Sequence, residues 1–134
     1  KKPVTVLSAS SPNIQQVTKK GLTFGVKQIL TGVTLTAYDA GVESTGKDED
    51  HPQYGITFSG TKVKEGRTIA VDPKVIPMGW WVYIEGIGFR KAEDKGSAIK
   101  GKKIDVYYDD ASKAFGKKKN VTVYVIGPKK PEAN

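Results

Sequence analysis

The chain has 134 residues, 37% of them hydrophobic, which supplies one modest core and makes one domain the default. It has no Cys and a single His, which sets aside disulfide frameworks, zinc–thiolate sites, cysteine nucleophiles, His-rich metal sites and a Ser-His-Asp triad. The net charge of +8 suits plain solubility or an anionic partner such as nucleic acid, a membrane surface or an acidic wall polymer.

The chain begins at Lys1 rather than Met and reads as a fragment or processed product. No apolar run is long enough to cross a bilayer and no signal peptide is present, so an export signal or anchor is expected to lie outside it. Residues 1–12 carry Pro3 and Pro12 and read as a tail or a loosely docked strand. In 13–30, Asn13 is a candidate helix cap over Ile14 and Val17, with Gly21 as the stop, and Thr23 to Leu30 reads as a strand or connector. Val33 to Tyr38 is β-branched and alternating, hence a strand. Residues 40–55 form a long polar loop that contains His51, read as an exposed loop histidine. Ile56 to Phe58 is a short strand running into a turn at Gly60.

Arg67 to Val71 is a strand that stops at Asp72-Pro73, because proline cannot continue a central ladder. Trp80 to Glu85 has high β propensity, and Gly86 with Gly88 reverses the chain into Phe89–Glu93. Ile104 to Tyr108 is a further strand, and Asp109 to Gly116 a short helix with an Asp cap and a Gly stop. Val121 to Ile126 closes the domain, and Pro128 onward is tail. The expected division is an N-terminal segment 1–32, a barrel domain 33–127 and a tail 128–134. Strand content of this kind in one small domain gives an all-β fold with one or two short helices, closed as a barrel or packed as a sandwich.

Three aspartates stand beside strand ends or glycine-bearing turns: Asp72, Asp94 and Asp105. An Asp inside a strand is disfavoured, so something must compensate for it. A solvent-facing position or a hydrogen bond to backbone N–H groups would suffice for each alone. Three together also fit a cleft in which neighbouring carboxylates raise one another's proton affinity, and a carboxyl that keeps its proton near neutrality can donate it to a leaving glycosidic oxygen. Both readings stay open on the residues alone. The loop Gly96-Ser97-Ala98-Ile99-Lys100-Gly101 offers backbone N–H groups to an oxygen-rich ligand but lacks P-loop spacing. Tyr38, Tyr54, Trp80, Trp81, Tyr107 and Tyr108 are candidate groove aromatics, with core packing as the alternative for each. Alternation puts Trp80 and Trp81 on opposite sides of their strand. The lysine clusters at 100–103, 117–119 and 129–130 have no accompanying nucleic-acid signature.

The stretch Thr36–Ile126 resembles the 3D domain, named for three aspartates, of the stationary-phase survival type found in Gram-positive bacteria. The pieces that carry the resemblance include Thr36-Ala37-Tyr38, Glu43-Ser44-Thr45-Gly46, His51-Pro52, Ser59-Gly60-Thr61, Gly66 to Pro73, Val82 to Gly86, Ala92-Glu93-Asp94, Ala98 to Gly101 and Ile104 to Tyr107. Lys95, Ser97 and Trp81 depart from the residues common there. The resemblance implies a small double-psi β-barrel related to the catalytic domain of membrane-bound lytic transglycosylase A.

It further implies a muralytic enzyme that acts on peptidoglycan glycan strands, with Asp105 as the catalytic acid and base and Asp94 and Asp72 as its companions. Tyr38, Thr45, Ser59, Thr61, Gly96, Ser97 and Lys100 would line the substrate groove. The expected product is a 1,6-anhydroMurNAc end, made without metal or organic cofactor and without nucleic acid as a partner, at an extracellular or wall-associated location. A non-catalytic glycan-binding module and a peptidoglycan hydrolase are the alternatives. Exchange of the N-terminal segment would make a homodimer.

Overall fold

A computed structural model describes residues 6–8, 11–41 and 55–131; the expectations placed on Thr45, His51 and Tyr54 lie outside the described residues. The described residues form nine strands: β1 (Val6–Ser8), β2 (Ser11–Lys19), β3 (Leu22–Val26), β4 (Gln28–Tyr38), β5 (Thr68–Ala70), β6 (Trp81–Ile84), β7 (Gly88–Asp94), β8 (Lys103–Tyr107) and β9 (Lys118–Gly127). One 3-10 turn at Ala111–Lys113 stands where the sequence predicts a short helix. Its N-cap is Asp110, whose carboxylate accepts from Ser112 N.

Six strands close into a barrel in the order β4-β8-β5-β7-β6-β9. The pairs β4–β8 and β5–β7 are parallel and every other neighbour is antiparallel. This is the expected small double-psi barrel. The interior is filled by alternate residues, among them Val33 and Leu35 of β4, Ile69 of β5, Val82 and Ile84 of β6, Ala92 of β7, Ile104 and Val106 of β8, and Val123 and Val125 of β9. Alternation sends the intervening residues to the outer face.

On one side of the barrel that outer face is covered. Tyr83 and Ile126 point outward and are buried by Val17, Phe24 and Val26, with Trp81, Phe89 and Tyr124 packed around them. The cover is the antiparallel sheet β1-β2-β3. The helix read over Asn13–Val17 is therefore a strand. Lys19 pairs with Leu22, leaving Lys20 (φ 53°) and Gly21 (φ 77°) as a two-residue turn with both residues in the left-handed region. That is a type I′ hairpin turn, whose second position favours glycine. Gly21 reverses a hairpin rather than stopping a helix. Burial of Val17, Phe24 and Val26 contributes about 1.5–3 kcal/mol each and docks the β2–β3 hairpin on the barrel. It packs on its own barrel, and a homodimer by segment exchange finds no support here.

One smaller difference concerns the strands. Ile56–Phe58 forms only an isolated bridge, Ile56 to Lys62, within a tight turn. Trp80 packs against the barrel interior and Trp81 against the covered outer face, on opposite sides as alternation requires.

A carboxylate-floored cleft as candidate functional site

The uncovered outer face of β4, β8, β5 and β7 carries the candidate site. Register builds it. Thr36 is the Cα partner of Asp105, Asp105 is the partner of Ala70, and Ala70 is also the partner of Asp94. Paired residues on neighbouring strands share a face, so these four side chains form one row across four strands.

Asp94 joins that row because of a bulge. Ile69 pairs with Ala92 and Ala70 with Asp94, which leaves Glu93 as the extra residue. A bulge inserts one residue and re-aims the side chain that follows. Glu93 is itself buried, 2% exposed, and accepts from Arg67 Nε at 3.0 Å and from Thr68 Oγ1 at 2.7 Å. A buried carboxylate with charge-assisted partners of this kind holds its place firmly. The methyl group of Ala70 leaves open space between Asp94 and Asp105, whose Cα atoms stand two strand spacings apart, about 10 Å.

The two carboxylates sit in different surroundings. Asp94 is fully engaged: Oδ2 accepts from the Tyr38 hydroxyl at 3.1 Å, and Oδ1 accepts from Phe58 N at 2.9 Å and Lys95 N at 3.0 Å. Asp105 accepts one hydrogen bond, from Thr36 Oγ1 to Oδ1 at 2.9 Å. Its Oδ2 has no hydrogen-bond partner among the described residues. Burial raises the Asp105 carboxyl above the usual carboxylate range. The Thr36 hydroxyl and the Lys103 charge pull it back down, and the negative charge of Asp94 pushes it up again. Burial and the Asp94 charge likewise push the Tyr38 hydroxyl far up, so Tyr38 remains a donor. An edge-to-face contact with Tyr107, centroids 5.5 Å apart, orients the Tyr38 ring.

Asp72 lies at the end of β5 and is tied differently. Its Oδ2 accepts from Gly101 N at 2.8 Å and its Oδ1 from Lys74 N at 3.0 Å. Those two backbone bonds, then the Lys100 and Lys74 charges, hold its carboxyl below the ordinary range. Asp72 thereby fastens the turn after β5 to the end of the 96–101 loop, and Ile99 anchors the same loop in a small cluster with Tyr38, Ala40, Ala70 and Tyr107.

A groove of about 950 Å³ opens over this row. Such a volume holds more than one sugar ring. Of the residues expected from sequence, Asp72, Asp94, Asp105, Tyr38, Gly96, Ser97 and Lys100 line it. Ser59 and Thr61 do not. Ser59 is exposed and its hydroxyl points to Met78 Sδ at 4.0 Å, while the Thr61 hydroxyl bonds that of Thr57 at 2.8 Å. The structure adds Thr36, Ala70, Phe58 and Lys95 to the site. The pairing of Thr36 with Asp105 across 69 positions leaves no local signal in the sequence. Among the described residues no group of three or more His, Cys, Asp or Glu side chains is arranged to hold a metal ion. No helix is long and apolar enough to cross a membrane, again among the described residues.

Comparison with known proteins gives a consistent picture. Residues 67–127 match the model of the 3D domain family. Two curated relatives come from Bacillus subtilis strain 168. The putative cell wall shaping protein YabE is 42% identical over 86 residues, which is 62% of this chain and 19% of that protein. The cell wall-binding protein YocH is 45% identical over 85 residues, 61% of this chain and 27% of that protein. The chain thus spans about a fifth to a quarter of the length of these relatives. Among solved structures, MltA from E. coli is similar over 60% of this chain and 29% of its own, at 20% identity and a TM-score of 0.47. The lytic transglycosylase LtgG of Burkholderia pseudomallei is similar over 65% of this chain and 29% of its own, at 26% identity and the same TM-score of 0.47.

Proposed function

We propose, for a chain that carries a 3D domain over residues 67–127, that the cleft cleaves the glycan strands of peptidoglycan as a lytic transglycosylase. One observation carries the reading: the half-buried carboxyl of Asp105 stands at the cleft floor with one oxygen held by Thr36 and the other without a hydrogen-bond partner among the described residues, and its burial favours the protonated form. The names of the relatives, one cell wall shaping and one cell wall-binding, support the wall as the place of action.

The chemistry follows from one carboxyl used twice. Protonated Asp105 gives its proton to the oxygen of the MurNAc–GlcNAc β-1,4 bond as the C1–O bond breaks. The sugar cation left behind lies near the Asp94 carboxylate, whose negative charge opposes it. Asp105, now ionised, takes the proton from the C6 hydroxyl as that oxygen closes on C1. The products are a new GlcNAc 4-hydroxyl end and a 1,6-anhydroMurNAc end; no water is consumed and Asp105 regains its proton. Its raised proton affinity serves the first step and lets it act again as a base in the second. Asp72 takes no proton in this scheme: two backbone N–H groups occupy its carboxylate, which orders the 96–101 loop. Tyr38 positions Asp94 through its hydroxyl.

The test is the mass of the product released from purified sacculi, with Asp105→Asn as the control. A second reading is a glycan-binding module without turnover, favoured by the name of the cell wall-binding relative and by the net charge of +8. It predicts binding to sacculi and no released product. A hydrolase would release a reducing MurNAc end heavier by one water.

A further inference from the structure

Exposed large apolar side chains are few among the described residues: Ile29, Ile56 and Phe58, with Phe58 the most exposed at 61%. Two of the three, Ile56 and Phe58, line the cleft. They flank the buried Thr57 where the chain enters a tight turn, closed by Gly60 N donating to Thr57 O at 2.9 Å, and both side chains stand at the cleft. The segment is braced. Thr57 N donates to Thr61 O at 2.7 Å, Val63 N to Gly55 O at 2.9 Å, and Ser59 N to Glu93 O at 3.0 Å. Phe58 N itself donates to Asp94 Oδ1 at 2.9 Å, so this apolar lip is fastened to a carboxylate of the cleft floor. The Lys95 ammonium lies 4.3 Å from the centroid of the Phe58 ring, over its face. A cation over one face favours that orientation of the ring.

We propose that Phe58, with Ile56 beside it, is a stacking platform that seats the apolar C–H face of one pyranose ring of the glycan next to the carboxylate row. This deepens the reading of the cleft as a glycan site and rests on it. Pyranose rings present C–H bonds with partial positive charge on one face, and an aromatic face is negative at its centre. An aromatic side chain that is 61% exposed, on a backbone tied to the cleft floor at the mouth of a polar cleft, suits that contact. That tie also lowers the ordering cost of binding. The platform acts on binding and register: a ring seated on Phe58 sets which glycosidic oxygen lies over Asp105.

Binding and turnover separate the platform from the catalytic reading. In the Asp105→Asn background, affinity for purified, peptide-free peptidoglycan glycan strands is measured by titration calorimetry for Phe58, Phe58→Ala and Phe58→Tyr. The expected result is a loss on the order of tenfold for Phe58→Ala, the scale of one well-placed aromatic contact, and near-parent affinity for Phe58→Tyr. Thermal melts of all three accompany the titrations and are expected to coincide, because the side chain is exposed. Equal affinity in Phe58→Ala, equal loss in both variants, or no glycan binding by the parent overturns the platform. Phe58-dependent binding without an anhydro product from the Asp105-containing protein leaves the platform standing and sinks the transglycosylase reading. Anhydro product released by Phe58→Ala at an unchanged KM does the reverse.

Discussion

Thr36→Val removes the single hydrogen bond that Asp105 accepts and changes almost nothing else, because the two side chains have nearly the same shape. The bond is 2.9 Å long and its acceptor is a carboxylate. Bonds to charged groups contribute about 1.5–3 kcal/mol. Asp105 is partly open to solvent, and water replaces part of the lost bond, so the expected cost is about 1–1.5 kcal/mol where the carboxylate is ionised. For a domain of this size that lowers Tm by roughly 4–6 °C. The pH dependence follows from the direction of the Asp105 shift. A carboxyl raised in the folded state contributes stability that is full below its unfolded pKa and is lost as pH rises through its folded pKa. Loss of the Thr36 bond raises the folded value further, so the variant matches the parent in acid and falls behind as pH rises. Paired thermal melts from pH 3 to pH 8 read this directly. In activity on sacculi, the alkaline limb of the pH–rate profile moves to higher pH, since the acid then holds its proton more tightly. A Tm deficit of the same size at every pH, with the alkaline limb unmoved, would refute the assignment of Thr36 as the group that restrains Asp105.

Three other substitutions extend the test. Asp105→Asn keeps an acceptor for Thr36 and removes a partly buried charge; it is expected to raise Tm at neutral pH, by an amount that vanishes in acid, while turnover drops by about two to four orders of magnitude. A lower Tm at neutral pH would contradict the burial argument. Asp72→Ala unfastens the 96–101 loop from the turn after β5. The Asp72 carboxyl is depressed in the folded state, so its contribution is present above the unfolded pKa and lost as pH falls through the folded one. Amide exchange at Ile99 and Gly101 should therefore quicken at neutral pH and converge with the parent in acid, and equal exchange at pH 7 would count against the tie. Arg67→Ala strips the buried Glu93 of its cationic partner, and with Arg67 partly exposed the cost is about 2–3 kcal/mol by chemical denaturation. A change below about 0.5 kcal/mol would mean that the bulge at Glu93 does not depend on that ion pair.

Barrel strands such as β6 and β9 were legible because their apolar residues alternate. Val82 and Ile84 face inward with Tyr83 outward, and Val123 and Val125 inward with Tyr124 outward. The N-terminal hairpin was not, because its signals have two meanings. Asn13, Ile14, Val17 and Gly21 fit a capped and stopped helix. They equally fit a strand that ends in an X-Gly turn, and the choice depends on a partner surface, Tyr83 and Ile126, more than 60 positions away. The three aspartates could be named from sequence, but not their different surroundings. Asp72 and Asp94 each accept from one neighbouring and one distant backbone N–H, and Asp94 also from the Tyr38 hydroxyl, whereas Asp105 meets one hydroxyl from a parallel strand. The bulge that brings Asp94 level with Asp105 depends on pairing with β5 and has no local mark. Ser59 and Thr61, expected at the groove, have hydroxyls that meet Met78 and Thr57, contacts with no local mark in the sequence.

The central claim is that the Asp105 carboxyl donates and recovers one proton to break a glycan strand. Mass spectrometry of the material released from purified sacculi tests it most directly. The account predicts 1,6-anhydromuropeptides, lighter by one water than the hydrolytic product, from the parent protein and none from Asp105→Asn at equal fold stability. Release of reducing-end muropeptides, no release at all, or undiminished anhydro product from Asp105→Asn would contradict it.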